Sequence, residues 1–397
     1  MKIAMLAIDS RELLRRYGDP DPLFAPVVAV LAQSLARNAD CEVHYVCCYK
    51  QPVRSPDLLA ENLYYHSVVV PPWGWLRGGY VGCVRAVRRK LTEIKPAVVH
   101  GQGTERYCAL AAARSGYPNV ITVHGNMAEL ARLFRARFGS YLWLAGRLEN
   151  YALKKTAGVF CNSAYTEELV RPRAARTWRV PNAIDARFLE TPKTALPREK
   201  CRLLNVGVIG ERKRQLELLA AAGQLHQQGL SFELHFLGQA ETTSSYAAKF
   251  LAQIQEAERQ GYARYLGFKP HAELIGHFDA AHGLVHFPSE EAFGLVVAEA
   301  LARGLKFFGA RLGGIVDIAQ GVPDAELFEP DDWPGLAGAI GKWMRSGHPR
   351  PPGSAEIMAA RYHPSLVARR HLEIYREVLQ TTGLEVPHEP DHRQLQN

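Results

Sequence analysis

Two doubly wound α/β domains facing a cleft are what this 397-residue sequence predicts, and three observations lead there. From the start, short apolar runs alternate with helix-length amphipathic segments, the rhythm of a parallel sheet covered on both faces. A second series of the same kind begins at Arg202-Leu203-Leu204-Asn205-Val206-Gly207. Between them, residues 190–200 are polar and twice interrupted by proline, at Pro192 and Pro197, a linker composition.

In the first series, strands are expected at 2–8, 42–48, 66–70, 97–100, 119–123, 157–161 and 177–180. Helices are expected near 23–37, 80–94, 104–115, 128–153 and 164–170. The second series has strands at 202–207, 232–237, 264–267, 283–287, 306–309 and 326–328, with helices between. The boundaries become a first domain over 1–188, a linker over 189–200, a second domain over 201–362 and a last helix over 363–380. The tail, 381–397, has few apolar residues and is expected to be disordered. Open α/β sheets bind ligands beyond the carboxyl ends of their strands, so the residues just after strands are the ones to examine.

Composition narrows the class. Apolar residues make up 47% and charged residues 22%, values that exclude a collagen-like, low-complexity or disordered chain. The apolar runs Val180–Ile184 and Ala292–Ala298 fall far short of the roughly 18 residues of a membrane span. The opening Met1–Asp9 reads as a first strand rather than a signal peptide, so a soluble cytoplasmic protein is expected. Seven cysteines without a C-x-x-C pair read as buried thiols. Residues 1–200 carry 29 Lys and Arg against 17 Asp and Glu, a net of +12, while the remainder carry 19 against 23, a net of −4. The basic half suits an anionic partner, and charge alone does not choose between membrane, nucleic acid and substrate.

The richest segment runs from Pro288 to Gly304. A strand ends, a polar turn follows, and a helix is expected to begin near Gly294 and to stop at Gly304. Glu291 precedes the helix and Glu299 lies inside it, about 12 Å away at the helical rise. That spacing suits two carboxylates gripping opposite ends of a nucleotide sugar, its diphosphate at the helix amides. The plainer alternative makes Glu291 an N-terminal helix acid and Glu299 a solvated helix residue.

Glu-x₇-Glu with an internal Phe-Gly resembles the signature of retaining glycosyltransferases of family 4, which have the GT-B fold. The resemblance implies that Glu291 contacts hydroxyls of the donor sugar and Glu299 the ribose, with backbone amides of Phe293, Gly294 and Leu295 near the phosphate and sugar. It assigns Arg212 and Lys213, after the strand ending Asn205-Val206-Gly207, to the donor diphosphate. It suggests that Phe268 and Lys269 cradle the nucleobase, ordinary loop residues being the alternative. It gives His124, in Ile121-Thr122-Val123-His124-Gly125, a part in positioning the sugar at the reacting centre. Leu312-Gly313-Gly314-Ile315-Val316-Asp317 is similar to the family's Gly-Gly-x-x-Glu turn with aspartate substituted. Val180-Pro181-Asn182-Ala183-Ile184-Asp185 is similar to its Pro-Asn-Gly-x-Asp run. The last helix is expected to cross back to the first domain, which would serve the acceptor. Two departures stand out: Ile8-Asp9-Ser10-Arg11-Glu12 replaces a Gly-Gly loop, and Val208 replaces an arginine.

The implied activity is retaining transfer of a hexosyl group from a UDP- or GDP-sugar to a glycan or glycolipid hydroxyl, with no cofactor and no metal. A non-catalytic nucleotide-sugar-binding subunit is the rival. Gly101-Gln102-Gly103-Thr104 lacks the third glycine of a dinucleotide loop, Asp19-Pro20-Asp21 reads as a turn, and no histidines or cysteines have metal-ligand spacing. No basic–aromatic nucleic-acid module is visible. In Pro71-Pro72-Trp73-Gly74-Trp75-Leu76-Arg77 and the helix after it, Val84, Val87, Leu91 and Ile94 can face inward while Arg85, Arg88, Arg89, Lys90 and Lys95 are left for other faces. Tryptophans beside clustered cations suit an anionic membrane surface, unless the loop packs its tryptophans on its own domain.

Overall fold

A computed structural model describes residues 1–190, 200–241, 244–323, 325–350 and 352–381. The expected disordered tail, apart from Thr381, which is helical, and most of the expected linker lie outside these residues. The chain forms two compact units. One comprises Met1–Cys161, Glu167–Val180 and the chain from Ser365 onward; the other comprises Asn162–Thr166 and Pro181–Pro364. Among the described residues, no helix is long and apolar enough to cross a membrane.

The first unit is built from β1 (Lys2–Leu6), α1 (Ser10–Leu14), α2 (Pro26–Ala36), β2 (Glu42–Tyr49), β3 (Leu58–Ala60), β4 (Leu63–Val69), α3 (Val81–Ile94), β5 (Val98–Gln102), α4 (Tyr107–Ala113), β6 (Asn119–Val123), α5 (Met127–Leu133), α6 (Tyr141–Leu153), β7 (Val159–Cys161), α7 (Ala164–Val170, its first three residues counted with the other unit) and β8 (Thr177–Arg179). Its sheet runs β3-β4-β2-β1-β5-β6-β7-β8, parallel except for the edge strand β3. Ile3 to Leu6 are fully buried, as a central strand covered on both faces requires. In α3, Val84, Val87, Leu91 and Ile94 form the buried stripe that the spacing predicts.

The single helix expected over 128–153 is two. Arg135 takes φ 46° and Gly139 φ 76°, left-handed values that no α-helix continues through, and Ser140 caps α6 by accepting the Trp143 amide. The tryptophan loop also splits. Trp75 is buried, donating from Nε1 to the Val70 carbonyl at 3.0 Å, so it belongs to the core and not to any outer surface. Trp73 is 69% exposed.

The second unit is built from β9 (Cys201–Val206), α8 (Gln215–Gln227), β10 (Phe232–Leu237), α9 (Ser245–Gln260), β11 (Ala263–Tyr265), α10 (His271–Asp279), β12 (Gly283–His286), α11 (Leu295–Ala302), β13 (Lys306–Ala310), α12 (Gly313–Ala319), β14 (Ala325–Phe328), α13 (Trp333–Arg345) and α14 (Ser354–Tyr362). All strands are parallel, in the order β11-β10-β9-β12-β13-β14. The winding direction reverses at β9, between β10 and β12, the place in such sheets where ligands bind.

α15 (Pro364–Thr381) completes the first unit. Its buried face includes Leu372, Tyr375 and Val378, and the Tyr375 hydroxyl meets His100 Nδ1 at 2.6 Å. All seven cysteines are buried and unpaired, as expected.

Candidate active site

In the second unit the two loops at the winding reversal are stitched together. The Ser289 amide donates to the Arg212 carbonyl at 2.9 Å. Arg212 Nη1 reaches Glu290, at 2.9 Å to the carboxylate and 3.2 Å to the carbonyl. Lys213 Nζ pairs with the Glu291 carboxylate, and His286 Nε2 lies 2.9 Å from the same oxygen. The Lys213 stem runs beside Gly207.

The sequence places both cations at the opening of a helix, and the structure corrects this. Glu211–Lys213 form one 3₁₀ turn, Arg214 turns left-handed at φ 56°, and α8 starts only at Gln215. The helical spacing between the two glutamates is corrected too. Ala292 to Gly294 are not helical, and Gly294 stands at φ 95° before an α11 of eight residues.

Glu291 is the most strongly tuned acid here. Burial works to raise its pKa, but the Lys213 charge and the His286 hydrogen bond prevail and hold it far below the usual carboxylate range. His286 is pushed down by burial and then by Lys213, so its neutral ring donates from Nε2 to that carboxylate. Burial raises Glu290 despite Arg212. Adjacent carboxylates thus take different partners: Glu290 holds Arg212 and Glu291 holds Lys213.

The Gly313-Gly314 turn supports this arrangement from behind. The Gly314 amide donates to the Glu291 carbonyl at 3.1 Å. A Cβ on Gly313 would come within 1.9 Å of that carbonyl oxygen, and one on Gly314 within 2.5 Å of Phe293 Cα. Asp317, at the end of the same motif, accepts the Ala164 amide at 2.6 Å. Phe293 is buried against Tyr362, and Leu295 opens α11.

Glu299 lies buried on α11 with its Oε1 2.7 Å from His271 Nε2. The other nitrogen of His271 is 3.8 Å from Asp185, which Arg187 also holds. Burial raises the Glu299 pKa, and the His271 bond counters part of that rise. Phe268, 67% exposed, and Lys269 sit in the loop after the edge strand β11, two strands from β9. Val208 is 53% exposed.

In the first unit, His124 follows β6. Its Nε2 lies 2.9 Å from Gln102 Oε1, and its Nδ1 is buried with no hydrogen-bond partner. Burial, with His371 adding to it, pushes the ring down to about 4, so His124 is neutral near pH 7. Where the family's Gly-Gly loop is absent, Asp9 and Arg11 form a buried ion pair at 2.9 Å. Arg11 also donates to the hydroxyls of Tyr49 and Tyr65, each at 3.0 Å. Among the described residues no cluster of three or more His, Cys, Asp or Glu is arranged to hold a metal ion.

Sequence reasoning missed Glu290, His286 and His271. Glu290 adjoins the motif glutamate, and each histidine bounds an element, His286 ending β12 and His271 opening α10; those placements were the available signal.

Residues 25–188 match the family model described as Glycosyltransferase Family 4, and residues 187–355 match Glycosyl transferases group 1. No curated protein matches the sequence. The fold is similar to that of the sucrose-phosphate synthase of Thermosynechococcus elongatus, with TM-score 0.75 at 18% identity, covering 96% of this chain and 100% of that one. It is similar to Anabaena HepE in complex with UDP-glucose, with TM-score 0.70 at 15% identity, covering 95% and 100%. The structure titled trehalose-6-phosphate from E. coli, bound with UDP-2-fluoro glucose, gives TM-score 0.69 at 11% identity, covering 95% and 99%. With the two family models spanning residues 25–355 and a fold common to these structures, the chain belongs to the glycosyltransferases of the GT-B superfamily.

Proposed function

We propose that the protein transfers a hexosyl group from a UDP- or GDP-sugar to the hydroxyl of a glycan or lipid-linked glycan, with retention and without a metal ion. The observation that carries this reading is the Lys213–Glu291 pair, with His286 behind it, at the sheet's winding reversal. Similar folds are titled with UDP-glucose and UDP-2-fluoro glucose bound, which supports a nucleotide-sugar donor. As the acceptor oxygen bonds to the anomeric carbon, the bond from that carbon to the diphosphate breaks, and the departing phosphate oxygen takes the acceptor proton. The diphosphate gains charge in this step. Lys213, Arg212 and the α11 amides stabilise it more in the transition state than before it. Glu291, kept ionised, accepts donor-sugar hydroxyls, Glu299 accepts the ribose hydroxyls, and neutral His124 orients the sugar.

The test is nucleoside diphosphate release from a panel of UDP- and GDP-sugars, with and without acceptor. Release that persists in EDTA and vanishes in Glu291→Ala supports the reading. Activity lost to EDTA and restored by manganese overturns the metal-free mechanism. Peripheral contact with an anionic cytoplasmic membrane surface is part of the proposal, carried by exposed Trp73 in the loop before α3 and by exposed Arg85, Arg88 and Arg89 on that helix.

A further inference from the structure

We infer that Gln102 is a positioning residue that locks His124 in its Nε2–H tautomer, leaving Nδ1 as the hydrogen-bond acceptor for a donor-sugar hydroxyl. The inference rests on the proposed role of His124 in donor binding, and its first measurement does not.

The sheet register sets up the contact. β5 and β6 are adjacent parallel strands in which Gln102 lies opposite Thr122. Side chains alternate along a strand, so His100 and Gln102 share a face with Thr122. His100 Nε2 meets the Thr122 hydroxyl at 2.6 Å, and the Tyr375 hydroxyl meets His100 Nδ1 at 2.6 Å. His371 stacks on Phe160 beside them.

This cluster decides which way the Gln102 amide points. Burial holds His100 neutral, so one of its nitrogens is an acceptor. The Gln102 Nε2 lies 3.2 and 3.3 Å from the two His100 nitrogens, both of which already meet hydroxyls, so it sits over the ring and not along either lone pair. The N–H end of the amide suits that π face better than the oxygen does. Oε1 is thereby turned to His124 Nε2, at 2.9 Å. A carbonyl oxygen only accepts, so the His124 proton must sit on Nε2. In a neutral ring Nδ1 then carries a lone pair. That nitrogen is buried with no protein partner, an arrangement that is costly unless a ligand supplies the donor. A sugar hydroxyl is such a donor. The ionisable groups around His124 are His371, the buried His100 and, by the Gly125 backbone, Glu105.

The test begins with ¹⁵N NMR of the full chain labelled at histidine, the His124 ring assigned by its loss in His124→Asn. The expected result is a proton on Nε2 and none on Nδ1. A proton on Nδ1 in the wild type overturns the inference, whatever the Gln102 variants do. Gln102→Leu is expected to move the proton to Nδ1 or mix the tautomers, and to lower kcat about tenfold or more with a smaller change in KM. Gln102→Glu retains an acceptor at Nε2 and so keeps the tautomer, but its charge raises the His124 pKa. Its kcat–pH profile therefore falls on the acid side, where the wild type stays flat. An unchanged tautomer in Gln102→Leu, or an unchanged profile in Gln102→Glu, overturns the lock. Full transfer by His124→Ala overturns the role of His124 in the reaction instead, so the two failures are told apart.

Discussion

His271 Nε2 stands 2.7 Å from Glu299 Oε1, and the same ring has its other nitrogen 3.8 Å from Asp185. The histidine therefore supports a buried carboxylate whose surroundings favour its neutral form. Removing that support raises the Glu299 pKa further, and a protonated acid accepts ribose hydroxyls less well. His271→Ala is expected to weaken UDP or GDP binding about tenfold near pH 7, the worth of one hydrogen bond to a charged group. Part of the loss is expected to return as the pH rises and Glu299 ionises. Titration calorimetry at pH 6, 7 and 8.5 reads this directly, and pH slopes equal to those of the wild type count against it.

The Lys213–Glu291 pair is mostly buried, with side chains 15% and 12% exposed. Deleting one partner leaves a charge without compensation, a loss of about 3 kcal/mol. Lys213→Ala is expected to lower kcat by about a hundredfold or more and to lower Tm. The double variant Lys213→Ala/Glu291→Ala is expected to regain stability over Lys213→Ala while staying inactive. A thermal-denaturation cycle checks this, and additive losses refute the coupling.

The same pair fixes an acid response. Glu291 in the folded chain lies below its unfolded value of about 4.3, so its stabilisation is present above pH 4.3 and is lost as pH falls. In Lys213→Met, burial without the cation reverses the sign, and acidification relieves the variant. The Tm gap between wild type and Lys213→Met is expected to narrow from pH 6 to pH 3.5. A constant gap would refute it.

Exposed Trp73, with Arg88 and Arg89 on the outer side of α3, is expected to bind vesicles containing anionic lipid at low salt and to release them at high salt. Trp73→Ala/Arg88→Ala/Arg89→Ala is expected to lose that binding, whereas Trp75→Ala lowers Tm because Trp75 is a core residue. Co-sedimentation decides it: a wild type that never pellets, or a triple variant that pellets equally well, removes the membrane proposal.

Parallel winding was legible because apolar strands and amphipathic helices differ in period, and it needs no knowledge of distant contacts. Val84, Val87, Leu91 and Ile94 show this in α3. The break between α5 and α6 was hidden because Arg135, a good helix former, adopts a left-handed backbone. Glu291 and Lys213 were legible through a motif and a strand end. Their mutual pairing was not, since 78 residues separate them and only the adjacency of β9 and β12 joins their loops. His271 was invisible for the same reason, its partner Glu299 being 28 residues away.

The return of α15 to the first unit bears on the order in which the protein matures on the ribosome. Apart from Asn162–Thr166, the second unit is one continuous stretch and is complete once residue 364 has been made. The first unit, although begun earlier, lacks Tyr375 and His371 until the last helix emerges. Until then the ring faces of His100 and Phe160 that those residues cover stay open to solvent and to other nascent chains. Synthesis that stops at residue 364 would therefore leave a finished second unit attached to an unfinished first one, with the polar cluster behind His124 missing its lid.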